Sequence, residues 1–315
     1  MKKKYDRDFY GYGARPPQAC WPDGARIAVQ FVINYEEGGE NCILHGDPAS
    51  EAFLSEIVGA EPWPGQRHMN MESIYEYGGR AGFWRLKRLF DRYELPVTVF
   101  AVAMAMQRNP DAVEAMLDSG WEIASHGYKW VDYAQISEEI EREHLQKALE
   151  IHRQMTGKEP AGWYVGRCSS ASRRLLLEMT QPLYDADSYA DDLPYWLHGM
   201  TPTPHLVVPY TLDANDMRFA TAQGFHTSEQ FFQYLKDSFD VLYEEGKEAP
   251  KMLSIGLHCR LIGRPGRLVG LQRFIEYILA KPKVWVCTRE QIAQHWHQFH
   301  SPCVESESAA LLKSG

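Results

Sequence analysis

Short apolar runs alternate with segments of helical period along most of the chain. Residues 26–34 contain Ile27-Ala28-Val29-Gln30-Phe31-Val32-Ile33, which predicts a strand buried on both faces. The stretch from Glu36 to about Gly79 is rich in Gly, Pro and Glu and predicts a long irregular loop. Loops of that size in compact domains carry function or pack on a partner. Phe83, Leu86, Leu89 and Phe90 then recur at helical spacing within 83–93, and Pro96 stops that helix. Further strands are predicted at 97–102, 121–125, 162–165, 183–186, 206–210, 252–257 and 283–287.

Helix signals fall between them. Asn109 is placed to cap, Pro110 to take the first helical position, and Gly120 to end the helix. Ser137 caps a long helix whose first turn carries Glu138, Glu139 and Glu141, and Gly157 closes it. Helices are also predicted at 173–180, from a Ser228 cap to Glu245, at 267–280, and after a Thr288 cap, this last one carrying Ile292 and Trp296. About eight strands alternating with about seven helices, without a linker, predict an α/β protein built as a closed or nearly closed (β/α) barrel. One domain is expected over 1–300, including the loop 36–79, followed by a frayed polar tail at 301–315.

Composition and charge remove whole classes of function. The 315 residues carry 33 Lys and Arg against 42 Asp and Glu, a net charge of −9. That balance disfavours nucleic acid and anionic membrane surfaces as partners. No apolar run follows the basic start Met1-Lys2-Lys3-Lys4, so no secretory signal is expected. The longest uncharged apolar stretch, Leu95 to Met106, is too short to cross a bilayer, which takes about 20 helical residues. The six cysteines form no CxxC pair, and free thiols in the cytoplasm are expected. No GxGxxG follows the first strand, and the chain has no GxxxxGK[ST], GxSxG or HExxH. His295, His297 and His300 read as surface residues of the last helix.

A (β/α) barrel places its chemistry at the C-terminal ends of its strands. Glu36 and Glu37 follow the most apolar strand, where adjacent carboxylates repel and one pKa should rise. His126 follows Glu122-Ile123-Ala124-Ser125, and His258 follows Ser254-Ile255-Gly256-Leu257. An imidazole at either place can bind a metal or exchange a proton. Tyr164, Arg167, Asp191, Asn215 and Arg260 leave other strand ends, and the arginines can hold a carboxylate, a ureido carbonyl or an oxyanion.

These residues also form a known order. Asn34-Tyr35-Glu36-Glu37-Gly38, then Ser125-His126, then Gly256-Leu257-His258 resembles the polysaccharide-deacetylase superfamily over roughly residues 20 to 295. The resemblance implies a distorted (β/α) barrel. It makes Glu36 the counterpart of the family's general base, and Glu37 and His126 the counterparts of two metal ligands. The third ligand, a histidine, is replaced by Trp130, whose indole cannot bind a metal. The departures are similar to those of the superfamily's metal-independent allantoinase branch. The shared segments are Asp191-Asp192-Leu193-Pro194-Tyr195, Pro209-Tyr210…Asp213-x-Asn215-Asp216-x-Arg218-Phe219 and Gly162-Trp163-Tyr164-x-Gly166-Arg167.

That branch implies opening of a neutral cyclic ureide in the cytoplasm by a homotetramer without a cofactor. Glu36, Glu37, His126 and His258 would be catalytic, and Tyr164, Arg167, Asp191, Asn215 and Trp130 would bind substrate. A degenerate site of one carboxylate and one imidazole leaves weak divalent-metal binding open. Three alternatives stand beside this reading. One is a metal-dependent deacetylase of acetylated sugars in which His68 or another residue supplies the lost ligand. Another is a different cyclic-imide hydrolase, and the last is an inactive binding module.

Overall fold

The computed structural model describes residues 7–57 and 59–302. In chain order the first elements are β1 (Ile27–Tyr35), α1 (Met69–Tyr77), α2 (Phe83–Arg92), β2 (Thr98–Ala101), α3 (Ala103–Arg108), α4 (Pro110–Asp118) and β3 (Glu122–Ser125). Next come α5 (Glu138–Thr156), β4 (Gly162–Trp163), α6 (Ser172–Met179), β5 (Tyr184–Asp185), β6 (Tyr195–Leu197) and β7 (His205–Val207). The chain continues through α7 (Ser228–Glu245), β8 (Lys251–His258), α8 (Pro265–Leu279), β9 (Val284–Val286) and α9 (Arg289–Phe299).

The strands form one curled sheet in the order β6-β7-β5-β4-β3-β2-β1-β8, with β9 also paired to β1. All pairings are parallel except β6 with β7. β1 is the spine. It pairs with β8 from Ile27↔Lys251 to Asn34↔His258 on one side. On the other it meets β9 near its start and β2 near its end. The sheet curls until its edges nearly meet. There the seam is held by one isolated bridge, Asn215↔Gly256, reinforced by Met252 N donating to Asp192 O at 3.1 Å. The α/β barrel is therefore a distorted half-barrel rather than a closed one.

Strand parity sorts the side chains. In β1, Ile27, Val29, Phe31, Ile33 and Tyr35 belong to the core packed against helices, while Ala28 and Val32 belong to the core inside the curl. The same alternation puts Phe100 and Ala124 inside, and Val99 and Ile123 outside. Period-two geometry thus makes the even-numbered positions of β1, β2 and β3 face the barrel interior.

Several elements differ from the sequence expectation. The stretch 36–79 is not irregular throughout: α1 occupies its last part, buries Met71 and Tyr75, and is capped by His68 accepting from Met71 N. Met69, Met71, Ile74, Tyr75 and Tyr77 are spread around the helix rather than gathered on one face, so the periodicity does not announce it. α1 runs into α2 through a π-helical turn, Gly78–Gly82. α3 buries Ala103 to Met106, an apolar run whose period does not separate helix from strand. β6 makes a hairpin with β7 that the pattern did not suggest. Thr227, rather than Ser228, caps α7 by accepting from Gln230 N. His295 is buried, not exposed, with Nε2 2.7 Å from Ala19 O. The tail from 303 onward lies outside the described residues.

Candidate active site

The parity of β1 continues past its end and separates the two adjacent glutamates. Glu36 turns into the curl with Asn34, and Glu37 turns outward toward α1. His258 closes β8 opposite Asn34, and His126 follows β3 on the same inner face. The result is a buried cluster in which Glu36, His126 and His258 are 1%, 2% and 4% exposed.

Glu36 Oε1 lies 3.3 Å from His126 Nε2 and 3.5 Å from His258 Nε2. Its other oxygen accepts from Arg260 Nη1 at 2.6 Å. The Arg260 guanidinium and the His258 ring overcome the cost of burial and hold the Glu36 carboxyl well below the usual range. It is therefore a permanent anion near neutral pH.

The two imidazoles are poised differently. His126 Nδ1 is 3.0 Å from Tyr164 O, an atom that can only accept, so Nδ1 carries a proton. Its Nε2 faces the Glu36 carboxylate. His258 Nδ1 instead meets Asp216 Oδ1 at 2.6 Å. Asp216 Oδ2 accepts from the backbone N–H groups of His258 at 2.7 Å and Ile262 at 3.0 Å, which locks the carboxylate in place. Burial opposes the charged ring, but Glu36 and Asp216 outweigh it and lift His258 to about 9. His258 is thus an imidazolium that presents Nε2–H to the centre.

A pH dependence follows. The His258 pKa rises on folding from its ordinary 6.5, so its contribution to stability is complete below that value and is lost as pH climbs through about 9. We expect kcat/KM to fall with an alkaline limb near pH 9, and His258→Ala to abolish that limb. An unchanged limb in the variant would contradict the assignment.

The remaining expected site residues divide into two groups. Tyr164 adjoins the cluster: its carbonyl receives His126 and its ring stacks on Phe100 at 4.8 Å. The Trp130 indole lies beside the guanidiniums of both Arg260, 5.3 Å away, and Arg167, 5.4 Å away. Arg167 also covers Phe53 of the long loop, and its Nη1 is buried without a partner. Glu37, Asn215 and Asp191, by contrast, stand outside the cluster. Glu37 packs under Gly78, where burial lifts it to about 7. Asn215 Oδ1 caps a turn by accepting from Met217 N, and its side chain fills the space beside Gly256, so it seals the seam. Asp191 accepts from Leu193 N and lines a separate groove along that seam.

Asp216 and Arg260 touch the reacting centre more directly than any of these three. The sequence points to Asn215 rather than its neighbour Asp216, because Asp216 opens a 3-10 turn in which no period marks the inward position.

Three His, Cys, Asp or Glu side chains arranged to hold a metal ion are not found among the described residues. The donor set explains this. Trp130 offers no lone pair, one Glu36 oxygen is engaged by Arg260, and His258 Nε2 is protonated. His68 caps α1 and stacks on Trp63 at 4.0 Å, so it does not replace the missing ligand. These residues do not fit a divalent metal. Among the described residues, no helix is long and apolar enough to cross a membrane.

Comparison with known proteins agrees with this architecture. Residues 71–182 match the polysaccharide deacetylase family model. A Schizosaccharomyces pombe protein assigned by name to the polysaccharide deacetylases is 44% identical, over 93% of this chain and 98% of its own. A crystal structure from Pseudomonas aeruginosa PAO1, described at the same family level, superposes with a TM-score of 0.93 at 61% identity, covering 94% of this chain and 99% of that one. The crystal structure of PuuE allantoinase also superposes with a TM-score of 0.93, at 59% identity, covering 94% and 98% of the two chains.

Proposed function

The chain belongs to the polysaccharide deacetylase family of hydrolases, and we propose that it opens a cyclic ureide, the hydantoin ring of allantoin, to give allantoate. The observation that carries this reading is Glu36 Oε1 set between the Nε2 atoms of His126 and His258, with Asp216 behind His258. Hydrolysis of a ring amide needs an activated water, stabilisation of the oxyanion and a proton for the leaving nitrogen.

Glu36 orients the water and takes its proton as the oxygen adds to the ring carbonyl, while His126 holds the carboxylate in place. The His258 imidazolium faces the developing oxyanion and gives its Nε2 proton to the ring nitrogen as the C–N bond breaks. Asp216 keeps that ring in the donating orientation. Arg260 fixes Glu36 and adds positive charge at the centre. Tyr164, Trp130 and Arg167 line the approach and read the ureido and carbonyl groups. The ring carbonyl attacked is imide-like, its nitrogen shared with a second acyl group in a five-membered ring, and is easier to attack than an acetamide, so this set can act without a Lewis acid. Cytoplasmic residence and assembly as a homotetramer go with this proposal.

The 59% identity to PuuE allantoinase supports the same substrate. The competing reading is a metal-dependent deacetylase. Purified protein should be assayed on allantoin, hydantoin, dihydrouracil and N-acetylglucosamine oligomers, each with and without chelator. Allantoin opening that persists in chelator is expected. Deacetylation that is lost in chelator, with no ring opening, would replace this reading with the other.

A further inference from the structure

The catalytic cluster uses Glu36 and leaves its neighbour on the opposite face of the sheet. There Glu37 helps to wall a cavity of about 500 Å³ between the end of β1, α1 and the start of α4. Its lining includes Tyr35, Glu37 and Tyr75, whose polar ends are buried; Glu37 Oε1 and Tyr75 Oη have no hydrogen-bond partner, and Tyr35 Oη has only the Asn109 side chain beside it. Buried polar groups nearly always find partners, so two orphans on one wall mark a place where another molecule supplies the hydrogen bonds.

Charge points the same way. Of the arginines at the rim, Arg67 is paired with Glu72 and Arg80 faces Glu76, while Arg108 donates Nη1 to Gly38 O. Glu37 and Glu40 are both nearly buried and neither forms a salt bridge with a rim arginine, although Arg108 lies near enough to Glu40 to favour its anion. The backbone is shaped for it. A Cβ at Gly78 would fall 2.3 Å from Glu37 Oε1, so the glycine in the π-helical turn gives the carboxylate its room. Such turns inside helices recur at functional sites.

We infer that this cavity is a second ligand site, taking a small organic cation whose N–H groups donate to Glu37, Glu40 and the two tyrosine hydroxyls. A metal ion is a poor occupant, because no trio of metal-binding side chains is found among the described residues and protonated tyrosines are weak ligands. An ammonium or guanidinium group supplies the donors that the orphans lack. The site adjoins the catalytic centre. The Tyr75 ring lies 4.5 Å beneath the Arg260 guanidinium, and Glu37 Oε2 accepts the Glu36 backbone N–H at 3.2 Å.

The test is a titration of the purified protein with methylammonium, followed by thermal midpoint and by emission of Trp84, which lines the cavity. Sodium at equal ionic strength controls for charge alone, and urea for N–H donors alone. Saturable stabilisation by methylammonium, with none from sodium or urea, is expected. Glu40→Gln should weaken binding about tenfold, and Arg108→Ala should strengthen it by removing a repelling charge. A purely structural effect would move both variants the same way. An equal response to sodium or urea, or affinities unchanged in both variants, would overturn the inference. The readout is binding, so a failure to open ureides leaves it intact.

Discussion

Glu36→Gln lowers kcat for ring opening by about 10³-fold or more, with little change in KM. Glutamine keeps the length and shape of the side chain and removes its charge. The lost charge matters in three directions at once, because one carboxylate faces His126, His258 and Arg260. Water loses the anion that orients it and takes its proton. His258 loses one of the two carboxylates that keep it protonated. Arg260, fully buried, is left beside a neutral amide, and an uncompensated buried charge costs about 3–5 kcal/mol. Lower stability is therefore part of the expected result. Circular dichroism and a melt at the assay temperature separate a folded, inactive variant from an unfolded one. A folded variant with near-normal kcat would remove Glu36 from the chemistry.

The architecture was open to reading from the chain because each parallel strand is apolar and each long helix carries its own start and stop. Ser137 accepts from Ile140 N and Gly157 ends α5 in the left-handed conformation. Thr288 closes a full capping box with Gln291. Weak spots appeared where tertiary contacts decide. α1 has two buried apolar residues and is held by a histidine cap, and β7 is cut short because the carbonyls beyond it turn to a side chain. The site was readable as strand ends. Choosing among neighbours was harder, because it depends on which face each residue takes. Glu36 against Glu37, and Asp216 against Asn215, differ by one position, and one position in an extended chain reverses the face. Extending the even-numbered parity of β1, set by Gln30 and Asn34, selects Glu36 without coordinates. The partner of His258 sits in a turn with no period, so only the fold could supply Asp216.

Arg289→Ala lowers the thermal midpoint by roughly 10 °C, the effect expected from about 3–5 kcal/mol in a chain of this size. Arg289 is fully buried at the start of α9, and burial pulls its pKa below the usual value. Its Nη1 donates to Ser254 Oγ at 2.6 Å, and Ser254 in turn donates to Gln30 Oε1 at 2.9 Å. Its Nη2 donates to Val208 O and to Pro209 O. The rings of Phe100, Tyr184 and Tyr210 surround it at 5.5–5.8 Å. The location explains the size of the effect. Beyond β7 the chain meets β8 through a single bridge, and Pro209 has no N–H to extend a ladder. One guanidinium therefore satisfies carbonyls that a neighbouring strand would satisfy in a closed barrel. Alanine leaves those acceptors buried and unpaired beside a cavity, and each such loss costs about 1–3 kcal/mol. Methionine restores volume without donors, so it should recover only the packing part of the loss. Ser254→Ala removes one link and should cost far less. A midpoint for Arg289→Ala within about 2 °C of the parent protein would mean that the seam is held by its bridge alone.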